Sequence, residues 1–306
     1  MNIDDISESI RPKVFDDFVW QDHIKKILDT ALISSVTSWK PLWHILFSGK
    51  SWFWKTTLAT IAASRCDATI KIITWYAISR PSELVSLLHL LQPGDVLFID
   101  EIHRLKPSVE EVLYTAMEDY CVDMLMPDGH HIRLPVDPFT LIWATTKLES
   151  LSEPLKNRFV YQFHMEPYSY EQKKLIIKRY LDLHSVQYSQ QILHTIADHI
   201  AAVPRQIANF CYQLNDYLIV HTPWARILDD RIRGEFRKRT SLEKWGITPT
   251  HRRYLEILES SNYAAVGLKT LSVKLWMSEK SIESDIEPLL FELDKIEKTT
   301  RGRILR

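Results

Sequence analysis

The chain has 306 residues, of which 45% are hydrophobic and 25% charged, and its formal net charge is -1 at pH 7. This composition excludes a disordered or fibrous protein and predicts soluble globular material, long enough for two or three domains. Because there is no overall basic field, any nucleic-acid contact must come from a local patch or from several subunits together. The acidic first residues contain no signal-peptide core and no later stretch approaches about 18 apolar residues, which predicts a cytoplasmic protein without a membrane span.

Residue usage departs from the average in one respect. The chain has 7 glycines and 10 tryptophans, although roughly 20 glycines are expected at this length. The other reactive residue types show no special pattern: we expect Cys66, Cys121 and Cys211 to be reduced and buried. The 12 histidines include no i, i+4 pair with an acidic third ligand, so no zinc site is predicted.

The first chemical motif is HILFSGKSWFWKTTLATIAA, residues 44–63. An apolar run leads into Gly49, and residues 55–57 open an amphipathic helix, the order typical of a phosphate-binding strand, loop and helix. That pattern requires glycine immediately before the lysine, because backbone N–H groups must close around phosphate oxygens. Trp52 and Trp54 occupy the turn instead.

Residues 1–165 alternate apolar runs with amphipathic stretches, which predicts an α/β domain built on a parallel sheet. The stretch 96–105, VLFIDEIHRL, is predicted to be a buried strand ending in two acids, and 139–146, FTLIWATT, is predicted to be another. Helical spacing covers 107–120 between them.

These positions suggest nucleotide chemistry. Lys55 can reach the β and γ phosphates, Thr56 and Asp100 can hold Mg²⁺, and Glu101 can polarise an attacking water. Each signal is weak alone, since strands often end in solvated acids. Their order along the chain makes the combination specific.

The second half of the chain is predicted to be mostly helical. Residues 166–239 show no strand pattern and predict a small all-α lid domain. Residues 240–306 show three short helices followed by an extended basic stretch, IEKTTRGRIL, which favours a winged helix. The helix at 279–293 has an alternative interpretation, ordinary packing within a helical bundle.

Over nearly its whole length the chain resembles the RuvB family, ring-forming AAA+ ATPases that drive branch migration of Holliday junctions. The segments that carry the resemblance are RPKVFDDFVWQ, KTTLA, GDVLFIDEIHRL, EEVLYTAMEDY, FTLIWATT, PLKNRF, VPRQIAN, IEPLL and TTRGR. The resemblance implies a P-loop ATPase domain with a parallel sheet, a helical lid and a carboxyl-terminal winged helix. It also implies ATP and Mg²⁺ as cofactors and a role in homologous recombination, repair and the SOS response.

Site residues follow from the resemblance by position. Thr145 or Thr146, with Thr146 preferred, would sense the γ-phosphate, and Arg158 would be an arginine finger that reaches the neighbouring subunit's site in a hexameric ring. The resemblance implies nucleotide contacts for Ile10, Arg11, Gly49, Trp52, Trp54, Lys55, Thr56, Thr57, Glu118, Asp119, Tyr120, Tyr168 and Arg205.

Partners are implied in the same way. Double-stranded DNA at Holliday junctions would meet the wing through Lys298, Arg301 and Arg303. RuvA and RuvC would complete the complex. The stretch 121–137 corresponds to the hairpin that grips RuvA, but it is about three residues shorter and carries His130 and His131, whose ordinary interpretation is a surface loop.

The tryptophans coincide with glycines of the family pattern. This holds for Trp20, Trp52, Trp54, Trp75, Trp143 and Trp276, while Trp39, Trp43 and Trp224 stand in turn-like settings and Trp245 is the least clear. We therefore hypothesise that most of these positions are glycine in the natural protein, encoded by a codon such as UGA that its source reads as glycine.

Two other function classes stay open. If the loop tryptophans are literal, the chain would be a DNA-binding or scaffold protein without ATPase activity. Within the enzymes, the alternative is another AAA+ DNA machine, such as a clamp-loader subunit, although TTRGR and the winged helix argue against it.

Overall fold

The computed structural model describes residues 12, 14–19, 21–49, 54–102, 105–125, 130–200, 204–240, 246–262 and 264–306. The chain divides into two compact units, Met1–Pro167 and Tyr168–Arg306. The sequence-based division into three domains, at 165 and 239, stays a prediction. Among the described residues, no helix is long and apolar enough to cross a membrane.

The first unit is a parallel sheet with helices between its strands. Five strands lie in the order Ile70–Thr74, Val96–Asp100, Thr140–Thr145, Ile45–Ser48 and Tyr161–His164, and every neighbouring pair is parallel. The predicted α/β fold with a parallel sheet is thus confirmed. Its elements are α1 (Asp22–Ser38), β1 (Ile45–Ser48), α2 (Lys55–Arg65), β2 (Ile70–Thr74), α3 (Pro81–Leu88), β3 (Val96–Asp100), α4 (Pro107–Glu118), β4 (Cys121–Leu125), β5 (His131–Pro135), β6 (Thr140–Thr145), α5 (Glu153–Lys156) and β7 (Tyr161–His164).

The central strands form because their apolar runs have no polar alternation. Every residue of β1 and β6 is buried, as is β3 up to Ile99. Strands covered on both faces need such continuous hydrophobic sequences. Because the strands are parallel, Ser48, Asp100 and Thr145 all end at one edge of the sheet, here called the carboxyl edge.

The opposite edge of the sheet is here called the amino edge. There the His44 side chain forms hydrogen bonds to both β6 and helix α4. Its Nδ1 accepts the Leu141 N–H at 2.9 Å, and its Nε2 lies 3.1 Å from the Met117 carbonyl oxygen. These two partners require a neutral ring with the proton on Nε2. Burial lowers the pKa of His44 to about 4.

We expect the protein to lose stability as the pH falls from about 6.5 toward 4. The pKa of His44 is lower in the folded chain than the value of about 6.5 in the unfolded chain, so the unfolded chain takes up the proton first. The loss attributable to His44 is about 3 kcal/mol at pH 4. Denaturant unfolding of the chain and of His44→Gln at pH 7 and pH 4 measures it: the difference between the two proteins should shrink by that amount. A constant difference would contradict this role.

The second unit is mainly helical, but the predicted absence of strands in 166–239 is wrong. Residues Gln187–Tyr188 (β8) and Ile227–Leu228 (β9) form a short parallel pair. Two residues are too few to show the period of a strand in sequence. The helices of this part are α6 (Tyr170–Leu183), α7 (Gln190–His199), α8 (Pro204–His221) and α9 (Asp230–Thr240).

The last part of the chain has its own hydrophobic core, formed around Tyr254, Leu271 and Ile282. Its strands β10 and β11 form an antiparallel hairpin, and Val266 makes a bridge to Arg303. This arrangement confirms the predicted winged helix. The elements are α10 (Pro249–Glu259), α11 (Leu268–Leu275), α12 (Glu279–Ser281), a π-helical turn (Ile282–Ile286), α13 (Glu287–Glu292), β10 (Ile296–Thr299) and β11 (Gly302–Leu305).

The three cysteines are free, as predicted. Cys121 and Cys211 are buried, whereas Cys66 is only half-buried because it follows the last residue of α2. None of them forms a disulfide, which agrees with their interpretation as reduced residues.

Candidate functional site

The loop between β1 and α2 begins at a residue that must be glycine. Gly49 has φ of 143°, and a Cβ there would lie 2.8 Å from Met165 Cβ and 2.9 Å from the Met165 carbonyl oxygen. No other residue fits both that backbone and that space. Residues 50–53, including Trp52, lie outside the described part of the chain.

Lys55 opens α2 at the carboxyl edge. Its Nζ donates to the Gly49 carbonyl at 2.8 Å and to the Thr145 carbonyl at 3.2 Å. Burial lowers the pKa of Lys55, while the carboxylates of Glu101 and Asp100 act in the opposite direction. The ammonium is therefore held among the ends of β1, β3 and β6, and its predicted contact with phosphates stays a prediction.

Asp100 and Glu101 form a connected acidic pair beside it. The Glu101 N–H donates to Asp100 Oδ1 at 3.0 Å, and the Thr146 hydroxyl donates to Glu101 Oε2 at 2.9 Å. Glu101 has φ of 54°, an unfavourable conformation of the kind that clusters at functional sites. The structure thus joins Glu101 to the end of β6.

The two threonines at the end of β6, which the sequence left as alternatives, have different surroundings. The Thr145 hydroxyl accepts the Lys147 N–H at 3.0 Å, and the residue is fully buried. Thr146 instead contacts Glu101. Geometry favours Thr146 as the residue that can sense a group bound near Glu101.

This donor set fits Mg²⁺ with a nucleotide. Thr56 and Asp100 offer hard oxygen ligands, and Lys55 offers the positive charge that phosphates require. Among the described residues, no group of three or more His, Cys, Asp or Glu could hold a metal alone. A site with two protein oxygens suits a cation that also takes water and phosphate ligands.

Arg158 lies at the amino edge, away from Lys55 of the same chain. It lies three residues before Tyr161, which pairs with Ile45, the first residue of β1. Strand β1 has 4 residues and is about 13 Å long, and Lys55 lies beyond its other end. Its Nε lies 3.1 Å from Glu118 Oε1 and its guanidinium lies over the Tyr114 ring at 4.4 Å. The parallel pairing therefore places Arg158 and Lys55 of one chain at opposite edges of the sheet.

Glu118, Asp119 and Tyr120 end α4 at the same amino edge. Asp119 pairs with Arg133 of β5, and Tyr120 has φ of 49°. The implied nucleotide contacts of this segment therefore cannot be made to phosphates beside Lys55 of the same chain. Sequence reasoning assigned no role to Tyr114 or Arg133, although the i, i+4 spacing of Tyr114 and Glu118 indicates a shared helix face.

The nucleotide roles of the other implied residues stay predictions. Tyr168 belongs to the second unit and is buried, and burial raises its pKa well above the usual value. The backbone of Arg205 lies in α8, but its side chain is outside the described set, as are all atoms of Ile10 and Arg11. Thr57 is buried in α2 and faces the core.

Three tryptophans have the left-handed backbone that glycine adopts without cost. Trp54 precedes α2 with φ of 59°, Trp39 ends α1 with φ of 55°, and Trp276 ends α11 with φ of 57°. Glycine is the preferred residue just after a helix in this conformation. Trp39 and Trp276 are 95% and 88% exposed, so no packing of their rings favours tryptophan.

Trp143 and Trp224 are unusual in opposite ways. Trp143 is fully buried in β6, and its indole Nε1–H has no hydrogen-bond partner among the described residues. Trp224 lies in a turn and is 98% exposed. Trp20 and Trp245 lie outside the described residues. The Trp143 ring packs against the Phe159 ring with centroids 5.2 Å apart, but its buried N–H without a partner is costly, and the Trp224 ring lies almost wholly in solvent.

The structure places Arg303 in a buried ion pair, and its DNA-binding role stays a prediction. Its Nε donates to Glu287 Oε1 at 2.7 Å, its Nη2 donates to Glu283 Oε1 at 2.9 Å, and its side chain is 7% exposed. The bridge to Val266 places β11 against the core, which fixes the arginine inside. Removing one partner of a buried ion pair typically costs about 3–5 kcal/mol, so Arg303 contributes to the stability of this part of the fold.

Lys298 and Arg301 remain at the surface of the hairpin. Lys298 is 60% exposed and lies 3.5 Å from Glu283, and Arg301 is exposed in the turn. The helix of α12 and α13 buries Ile282, Ile286 and Leu290, so its bundle-packing interpretation is supported. Its exposed residues include the acids Glu279, Glu283 and Asp285 as well as Lys280, and Glu283 pairs with Arg303.

Comparisons with known proteins agree with this architecture. The sequence model of the Holliday junction DNA helicase RuvB P-loop domain matches residues 10–165, and that of the RuvB C-terminal winged helix domain matches residues 244–306. The chain is 35% identical to the Holliday junction branch migration complex subunit RuvB of Ligilactobacillus salivarius, over 99% of this chain and 91% of that protein. It is 36% identical to the RuvB subunit of Campylobacter jejuni subsp. doylei, over 97% and 89%.

Solved structures give the same result. The Thermotoga maritima RuvB Holliday junction branch migration motor superposes with a TM-score of 0.83 and 32% identity, covering 97% of this chain and 95% of that one. A point mutant of the same Thermotoga maritima protein gives a TM-score of 0.84 with 32% identity, covering 97% of this chain and 96% of that one.

Proposed function

The chain belongs to the RuvB family of Holliday junction DNA helicases, and from this premise we propose that it is the ATP-driven motor that migrates Holliday junctions in recombination and repair. The observation that carries the proposal is that Lys55, Asp100, Glu101 and Thr146 lie together at one edge of the parallel sheet. We assign the protein to the cytoplasm, where its DNA substrate would lie.

The P-loop domain binds a nucleotide, and we assign ATP with Mg²⁺. When bound, the metal neutralises charge on the phosphates. Lys55 places its ammonium against the phosphate oxygens, and Thr56 and Asp100 offer the protein's oxygen ligands. Glu101 accepts from Thr146, which keeps its carboxylate oriented for polarising a water.

Hydrolysis requires a neighbouring subunit. Arg158 and Glu118 pair at the amino edge, opposite Lys55 of the same chain, which supports a role at the site of a neighbouring subunit. An arginine supplied in trans stabilises charge in the transition state. A closed homo-hexamer provides such an interface at every subunit.

The relatives are named as subunits of a branch migration complex, and we assign RuvA and RuvC as partners. RuvA would contact the β4–β5 hairpin, whose exposed residues include His130 and Ile132. The tip, residues 126–129, lies outside the described part of the chain.

The ATPase assignment depends on glycine at the loop positions. The left-handed backbone at Trp54, Trp39 and Trp276 supports the hypothesis that these are glycine in the natural protein. If the tryptophans are literal, a DNA-binding protein without ATPase activity is the alternative, and the codons at 52 and 54 decide between the two.

Dissociation of a synthetic four-way junction tests the proposed function. The chain with glycine at positions 20, 39, 43, 52, 54, 75, 143, 224, 245 and 276 should dissociate it with RuvA, ATP and Mg²⁺, because the loop can then close around phosphates. The same chain with Lys55→Ala is the control and should be inactive. Equal activity of the two proteins, or inactivity of both, would contradict the proposal.

We expect the wing to contact phosphates without reading sequence. Replacing Lys298 and Arg301 by glutamine removes two exposed cations, so the slope of log K against log salt should become shallower by about 2. Fluorescence anisotropy with a linear duplex at several salt concentrations measures the slope. An unchanged slope would remove the wing from the DNA interface.

A further inference from the structure

Helix α9 carries a concentration of positive charge that the proposed function does not use. Residues 231–239, RIRGEFRKR, contain five cations and one acid, whereas the whole chain has a net charge of -1. The helix spans Asp230–Thr240 in the second unit. A cluster of this density creates a local positive potential.

The cations are distributed around the helix in a defined way. Ile232 and Phe236 are buried and mark the side that faces the core. At about 100° per residue, Arg231, Gly234, Arg237 and Lys238 lie within about 60° of the opposite direction. The three cations are all exposed. These four residues are called the α9 basic face.

The two acids of helix α9 both lie beside cations of the same helix. Asp230, on the same side, accepts from Arg233 Nη2 at 2.9 Å. Glu235 accepts from the Tyr217 hydroxyl at 3.2 Å and lies 4.0 Å from Arg231 Nε. Helix α9 still holds five cations and two acids, so its net charge is positive.

Gly234 lies at the centre of this face and has no packing reason to be glycine. A Cβ there would meet no atom within 4 Å, and its backbone φ is not among the positive values. Glycine inside a helix is destabilising relative to alanine. A missing side chain between exposed cations instead permits close approach of another molecule's backbone.

The helix dipole explains only some of the cations of α9. Cations in the last turn of a helix interact favourably with its dipole, which accounts for Arg237, Lys238 and Arg239. It does not account for Arg231 in the first turn or for the glycine between them. Arg231 and Lys238 are separated by about 10 Å along the axis, close to the rise of three base pairs.

We propose that the α9 basic face binds the phosphate backbone of duplex DNA, as a second contact besides the wing. Arg231, Arg237 and Lys238 neutralise phosphates, and Gly234 lets the strand approach the helix. The proposal rests on the proposed function only in that duplex DNA is the ligand. It requires neither ATP hydrolysis nor a partner protein.

Salt titration of the full chain tests this contact separately from the wing. Arg237→Gln with Lys238→Gln should make the slope of log K against log salt shallower by about 2 for each bound protomer. The matched control is Arg239→Gln, since Arg239 lies 5.7 Å over the Tyr217 ring, on another side of the same turn. Its slope should equal that of the parent chain.

A second variant keeps all charges. Gly234→Leu should preserve or raise helix stability, measured by thermal unfolding, and yet weaken duplex binding at least threefold because the side chain holds the strand away. One outcome would overturn the α9 contact and leave the proposed function standing. In it, the wing variant makes the salt slope shallower, while the α9 variants bind DNA with the same affinity and slope as Arg239→Gln. The α9 contact with DNA would also be overturned if the α9 variants lost binding to anionic lipid vesicles while the slope for DNA stayed unchanged.

Discussion

Replacing Trp52 and Trp54 by glycine is expected to raise ATP hydrolysis from background to a readily measured rate. Trp54 has φ of 59°, which costs roughly 1–2 kcal/mol for a residue other than glycine. Each charge-assisted N–H hydrogen bond to phosphate that an indole prevents is worth about 1.5–3 kcal/mol. Restoring two of these hydrogen bonds should raise the rate at least about a hundredfold, and steady-state phosphate release measures it.

Trp39→Gly with Trp276→Gly is the matched control for this experiment. Both residues have the same left-handed backbone but lie at the ends of α1 and α11. The control should stabilise the fold without raising hydrolysis. Equal rates for the loop variant and the parent chain would refute the steric explanation of the loop.

Mixing two inactive variants of the loop-glycine protein should produce ATPase activity. Lys55→Ala removes the phosphate contact, and Arg158→Ala removes the arginine in trans, worth about 10³-fold or more in rate. Because these residues lie at opposite edges of the sheet, a mixed ring contains interfaces where an intact Lys55 meets an intact Arg158. Hydrolysis by the mixture, measured against each variant alone, should recover to a substantial fraction of the parent rate.

The control mixture combines Lys55→Ala with Glu101→Gln. Both residues lie at the carboxyl edge, so every mixed site lacks one of them and no activity should appear. Recovery in this mixture, or its absence in the first, would contradict the assignment of Arg158 to the neighbouring subunit.

The sequence predicted the sheet well because its signal is local. The runs around Phe47, Phe98 and Ile142 are apolar without interruption, as a strand covered on both faces requires. The side chains at their carboxyl ends must then meet at one edge. Order and spacing therefore single out Lys55, Asp100 and Glu101, and the structure brings these three residues together, while their roles stay predictions.

What the sequence could not supply was the pairing of side chains across the fold. Arg303 looks like a surface cation in TTRGR, and only the antiparallel register with Val266 places it beside Glu287. The choice between Thr145 and Thr146 likewise depends on which hydroxyl reaches Glu101. The strands β8 and β9 are too short to leave a pattern.

Only the structure shows at which edge of the sheet Arg158 lies. Sequence order places it after β6, but its distance from Lys55 depends on the parallel pairing of β7 with β1. The pairing of Arg158 with Glu118 follows from the packing of α4 and from the loop after α5. Neither is encoded by local periodicity.

Mass spectrometry of the protein purified from its own organism tests the central claim, that bare backbone must surround the phosphates between Gly49 and Lys55. Peptides covering residues 49–55 should carry glycine masses at positions 52 and 54, in a protein that hydrolyses ATP. Tryptophan masses at both positions in a preparation that turns over ATP would contradict the account.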